Sequence, residues 1–157
     1  MRPIIPCHSA IQNPAAKYVD KKLRPIVVGS PTVIHGSKDL AIKLSNLVLK
    51  PGSKWYILTG DVVAFYPNIP LHLCLDYVNQ MYLEYYWGHV QDHDAPHNRR
   101  QQLIFKTALE VGNTKLLTQF QGKYYEQLRG LAMGVSDSPS LANLYGVHFE
   151  SSSWDGP

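Results

Sequence analysis

Gly60-Asp-Val-Val-Ala-Phe-Tyr-Pro-Asn-Ile-Pro70 sets one carboxylate, Asp61, into an apolar run that begins at Trp55. Trp55 to Ala64 reads as a strand buried on both faces and closed by Pro67. A carboxylate removed from water without a partner costs several kcal/mol. Asp61 is therefore expected to meet a cation, to shift its pKa, or to sit at the wet end of the strand. The chemistry of a lone acid in such a place suits a metal ion; a strand-end Asp bonded to backbone amides or to a neighbouring Lys is the bland alternative.

Around this stretch the chain has the makings of one domain. Its 157 residues, 45% hydrophobic and 17% charged, are a globular composition. No apolar run is long enough to span a membrane, and Met1-Arg-Pro-Ile-Ile-Pro6 lacks the pattern of a secretory leader, so the expectation is a soluble, intracellular chain, nuclear or cytoplasmic, with no membrane partner. Cys7 and Cys74 lack a Cys-x-x-Cys arrangement and read as reduced thiols rather than a disulfide. A net charge of +3 permits a polyanionic partner without specifying one, and Lys17, Lys21, Lys22 and Arg24 read first as a solvated helix face.

Local signals place the elements. Asn13-Pro14 offers a cap and first-turn proline for a helix to about Leu23, and Ser37 caps a second helix that runs until Pro51-Gly52. Leu75, Val78, Tyr82 and Tyr85 imply a helix from Leu71 to about Trp87. A polar loop over Gly88 to Asn98 follows, then a helix from about Asn98 to Glu110. Leu116–Phe120 and Lys123–Leu128 flank Gln121-Gly122, a tight hairpin turn. Ser138 and Pro139 cap and begin a last helix ending near Glu150. His89, His93 and His97 recur every four residues with Asp92 and Asp94 between them, but Pro96 argues against the helix that would align them, so no zinc is assigned.

Three phrases in order carry a family resemblance: Arg2-Pro-Ile4, Asp61-Val-Val-Ala-Phe-Tyr66 and Ala132-Met-Gly-Val-Ser-Asp-Ser-Pro-Ser-Leu-Ala-Asn-Leu-Tyr145. Together they resemble reverse transcriptases, RNA-directed DNA polymerases. Gly29-Ser-Pro-Thr32, Phe65-Tyr-Pro-Asn-Ile-Pro70 and Gly130-Leu-Ala-Met-Gly134 look most like the enzymes of Penelope-like retroelements. The resemblance runs approximately from Arg2 to Glu150. It implies an α+β fold, a right-hand polymerase fragment whose small antiparallel sheet is backed by helices. About 1–54 would be fingers-like, about 55–150 a partial palm with a helical insertion, and 151–157 a tail.

The resemblance also implies roles. Asp61 would be a catalytic carboxylate, binding Mg²⁺ together with the backbone carbonyl of Val62, since such oxygens suit that ion in two-metal nucleotidyl transfer. Tyr66 would be the steric gate beneath the sugar, selecting deoxynucleotides, with Phe65 beside it; a core tyrosine is the other reading of Tyr66. Met133 and Gly134 would pass beside the nucleotide, and Arg2 would grip its triphosphate. Ser138 and Pro139 would contact nucleic acid, or Ser138 would simply cap its helix. Asp137 departs from the uncharged residue of many relatives.

The partners implied are an RNA template, a DNA primer and deoxynucleoside triphosphates, with Mg²⁺ as cofactor of the complete parent. The family's third motif, two adjacent aspartates on a hairpin, is absent, and no Asp-Asp pair occurs in the chain. Most of the charge stabilisation for phosphoryl transfer is then missing, so the chain alone is expected to be inactive. Two other readings stand beside this one. One is a non-catalytic, reverse-transcriptase-derived module that binds nucleic acid or self-associates through exposed sheet edges. The other is a fragment of an RNA-dependent RNA polymerase, against which Tyr66 speaks.

Overall fold

The computed structural model describes residues 10–88 and 95–153. Among them are α1 (Asn13–Gly29), α2 (Ser37–Ser45), α3 (Phe65–Asn68), α4 (Leu71–Trp87), α5 (Pro96–Asn113), β1 (Leu117–Phe120), β2 (Lys123–Glu126) and α6 (Ser138–Ser153). The fold is thus mixed helix and strand. Its core is made by helices, because α1 packs on α4, α5 and α6, and α4 packs on α5 and α6.

Helical spacing explains that core. Ala16, Val19, Leu23 and Val27 recur along one face of α1 and are buried. Cys74, Leu75, Val78 and Tyr82 do the same for α4, and Phe105 and Leu109 for α5. Tyr82 stacks on Phe105 with ring centroids 3.5 Å apart, joining α4 to α5. Tyr86 reaches across to α1, its hydroxyl donating to the Lys22 carbonyl at 3.1 Å. At Gly112 an added Cβ would lie 3.3 Å from the Ala16 amide nitrogen, so the missing side chain lets α1 and α5 approach.

Several boundaries depart from the sequence expectation. Helix α1 passes through Pro25 to Gly29 rather than stopping near Leu23. The proline ring lies on the exposed side, while Val27 beyond it gains burial in the core. Helix α2 ends at Ser45, short of Pro51, and none of its residues is buried, so burial does not carry it further. Its start is held by Asp39, which accepts the His35 amide at 3.1 Å and lies 3.5 Å from the Lys43 ammonium. Helix α5 begins at Pro96, where a first-turn proline is welcome, and so includes His97. His89, Asp92, His93 and Asp94 lie outside the described residues.

The largest correction concerns Trp55 to Ala64. This segment is no strand and is not buried. Ile57 is 89% exposed and Leu58 92%, and among the described residues no hydrogen bond engages the backbone of residues 54–62. A strand needs a neighbour for its amides and carbonyls, and the described residues provide none.

The described sheet is instead the hairpin β1–β2, antiparallel with Phe120 opposite Lys123 and Leu117 opposite Glu126. Its turn is the one the sequence signals: Gln121 at φ 48° and Gly122 at φ 76° place both central residues in the left-handed region. The expected sheet backed by helices is accordingly reduced to two strands of four residues, both largely exposed.

Candidate functional site

Asp61 projects from the irregular segment and is exposed to solvent. Three residues on, the chain reverses at Ala64, which adopts φ 51° and ψ 48°. This left-handed geometry is unfavourable for a residue with a Cβ. It is held by Asn68, whose backbone amide donates to the Ala64 carbonyl and whose side-chain amide donates to that of Val63, each at 3.2 Å. The short helix α3 follows and carries Phe65 and Tyr66, their rings edge to face at 6.3 Å.

Here the second sequence phrase arrives. The Leu131 amide donates to the Tyr66 carbonyl at 2.9 Å. Gly130, at φ +75°, lies so close that an added Cβ would stand 2.6 Å from Pro67 Cα and 2.7 Å from the Tyr66 carbonyl oxygen. Only glycine fits this contact. The segments around 60–70 and 129–134, more than sixty residues apart in sequence, therefore meet backbone to backbone.

The predicted residues differ in what surrounds them. Val62 and Phe65 line a cleft of about 460 Å³ whose walls also include Val33, Ile34, Gly146 and Phe149. Tyr66 is not among its lining residues; its ring is half-buried, and burial raises its hydroxyl pKa. Met133 is half-buried, and Gly134, at φ 106°, is exposed. Pro139 is exposed, whereas Ser138 is 1% exposed and its Oγ is buried, out of reach of a strand lying on the surface. Arg2 lies outside the described residues.

Among the described residues no three His, Cys, Asp or Glu side chains converge on a common point. One exposed carboxylate and its neighbouring carbonyl are too few protein ligands to hold Mg²⁺ unaided, because that ion keeps waters and relies on additional carboxylates or phosphates. These residues alone do not make a metal centre.

The feature that sequence reasoning left unexplained is Asp137. Its carbonyl accepts the Leu141 amide at 2.9 Å, so Asp137, rather than Ser138, occupies the N-cap of α6. Its side chain is fully buried, with Oδ2 accepting the Asn113 side-chain amide at 2.7 Å. Among the described residues Oδ1 finds no hydrogen-bond partner, and neither do Asn113 Oδ1 and Ser138 Oγ. Burial raises the Asp137 pKa to about 6, opposed by the Asn113 bond and helped by the charge of Asp20. Burial also pushes the Cys74 thiol up to about 12, with Asp137 adding to the effect.

Polar ties to α1 complete this end of α6. Ser140 donates to Asp20 Oδ1 at 2.7 Å, and Ser136 to Asn13 Oδ1 at 3.1 Å. Asn13, expected as a cap, is thus spent on a tertiary bond within the helix it begins. The Asp-Ser-Pro order was the available signal for Asp137, since an acid just before a serine and a first-turn proline is a good N-cap. No sequence signal announced its partner Asn113.

No protein-family model, no curated protein and no solved structure matches this chain.

Proposed function

We propose that this chain is the fingers and partial palm of an RNA-directed DNA polymerase of the Penelope-like kind, whose complete enzyme extends a DNA primer on an RNA template. The observation that carries the reading is the seating of Gly130 and Leu131 on the backbone of Tyr66 and Pro67. Phrases that the reading assigns to one nucleotide pocket are in contact, and glycine stands where a side chain would part them. In this reading Asp61 is the catalytic carboxylate, Tyr66 the sugar gate, and Met133 and Gly134 the loop beside the nucleotide. Mg²⁺ belongs to the complete enzyme, because Asp61 alone does not make its site.

Anisotropy with a labelled RNA–DNA primer–template at about 50 and 200 mM salt tests the proposal. Binding that weakens with salt is expected, without nucleotide incorporation by this chain alone. Absence of binding at the lower salt, or incorporation that survives Asp61→Asn, overturns it. A second reading, a non-catalytic module that self-associates, is favoured by one feature, the exposed apolar run from Trp55 to Leu58. Mass by light scattering that rises with concentration supports that reading.

A further inference from the structure

The hairpin β1–β2 carries more exposed aromatic surface than its two short strands require. The register places Thr118 opposite Tyr125 and Phe120 opposite Lys123, so these four residues share one face. Leu117, Gln119, Tyr124 and Glu126 share the other. On the first face Phe120 is 55% exposed and Tyr125 49%. They are diagonal neighbours across the strands, roughly 7–8 Å apart, within reach of successive bases on an extended single strand.

The charges around the rings have one sign. Lys123 is the sole ionisable cation on that face, and the hairpin's acid, Glu126, lies on the opposite one. At the base of the hairpin the Gln127 amide donates to the Leu116 carbonyl at 2.9 Å, which keeps the flanking Lys115 and Arg129 near the ladder. Both are exposed. Neither they nor Lys123 enters an ion pair among the described residues. Exposed rings with unpaired cations at both ends and no acid on the same face favour a polyanion with aromatic bases over a second copy of the chain. Four-residue strands with Lys123 at the end of the ladder also make a poor template for strand pairing.

We infer that the Phe120–Tyr125 face is a stacking platform for single-stranded nucleic acid, with Lys123 on that face to meet its phosphates and Arg129 exposed at the base of the hairpin. The inference rests on the polymerase reading above and assigns to this hairpin the handling of an unpaired strand. Stacking is sequence-tolerant, so oligo(dT) and oligo(U) serve as probes, and their comparison separates DNA from RNA as the preferred strand.

The test is anisotropy of the full chain with each labelled oligonucleotide, about 12 nucleotides long. Tyr125→Ala and Phe120→Ala are each expected to weaken binding about tenfold. Tyr125→Phe, which keeps the ring, should stay within about twofold of wild type. Lys123→Ala should lower the slope of log affinity against log salt by about 1. Wild-type binding left unchanged by Tyr125→Ala overturns the platform. If the primer–template still binds in that case, the polymerase reading survives it. Failure of the wild type to bind either oligonucleotide, with a concentration-dependent mass that Tyr125→Ala abolishes, overturns the platform in favour of self-pairing.

Discussion

Two stretches of this chain carry large apolar residues and have opposite fates. Trp55-Tyr-Ile-Leu58 lies in the open, without strand partners, while Leu131, Ala132, Val135, Leu141, Ala142 and Leu144 are buried. The difference is in what surrounds them. The second stretch leads into α6, which has α1 and α4 to pack against, and its N-terminus is tied to Asp20 and Asn113. The first would bury its side chains and satisfy its backbone only against other strands, which the described residues do not provide. Hydrophobicity supplies a drive to burial; a partner of the right geometry decides whether it is met.

The sharpest way to break this comparison is to truncate one leucine in each stretch. Leu141→Ala is expected to cost about 4 kcal/mol in a denaturant melt, a transfer loss plus a cavity. Leu58→Ala should change stability by less than about 0.5 kcal/mol, as exposed sites do. A cost at Leu58 close to that at Leu141 means that the 55–58 run packs in solution.

Glycines give the next contrast. Gly130→Ala forces a Cβ into backbone at 2.6 Å from a residue held at φ +75°, and a loss of about 3 kcal/mol is expected. An added Cβ at Gly60 meets nothing within 4 Å, so Gly60→Ala should be close to neutral by the same melt. A neutral Gly130→Ala would remove the contact between the two segments, and with it the main support for the polymerase reading.

Asp137 gives a smaller effect with a definite sign. Its pKa in the folded chain, raised to about 6, lies above the ordinary carboxyl value, so the folded state holds the proton more tightly. The stability contribution is present in full below about pH 4 and is lost as pH rises through about 6, approaching 2–3 kcal/mol. Asp137→Asn should flatten that segment of the stability–pH curve and raise stability at pH 7.5. An unchanged curve would show that the carboxyl ionises freely, which its burial forbids.

Much of the helical framework was legible in the sequence because it rests on local signals. The spacing of Leu75, Val78 and Tyr82 marked α4 from Leu71 to Trp87, Gln121-Gly122 marked the turn, and Ser138-Pro139 marked the start of α6. The end of α1 was not legible, since Pro25 is a helix breaker unless packing beyond it compensates, as Val27 does. The candidate site was legible in part. The phrases around Asp61 and Gly130 were visible as patterns, and their contact depends on the αL turn at Ala64 and the close approach at Gly130. Asp137 was visible as an oddity, and its burial was not.

By itself the sequence determined which segments form the longer helices and where the hairpin turns, because 3.6-residue periodicity, capping chemistry and positive φ act over a few neighbours. Only the tertiary structure decided that Trp55 to Val63 stays exposed, that Asp137 is buried against Asn113, and that Tyr66 meets Leu131. Those outcomes depend on which distant surfaces are present to pack, and such partners are set by how the helices assemble rather than by any residue's neighbours in the chain.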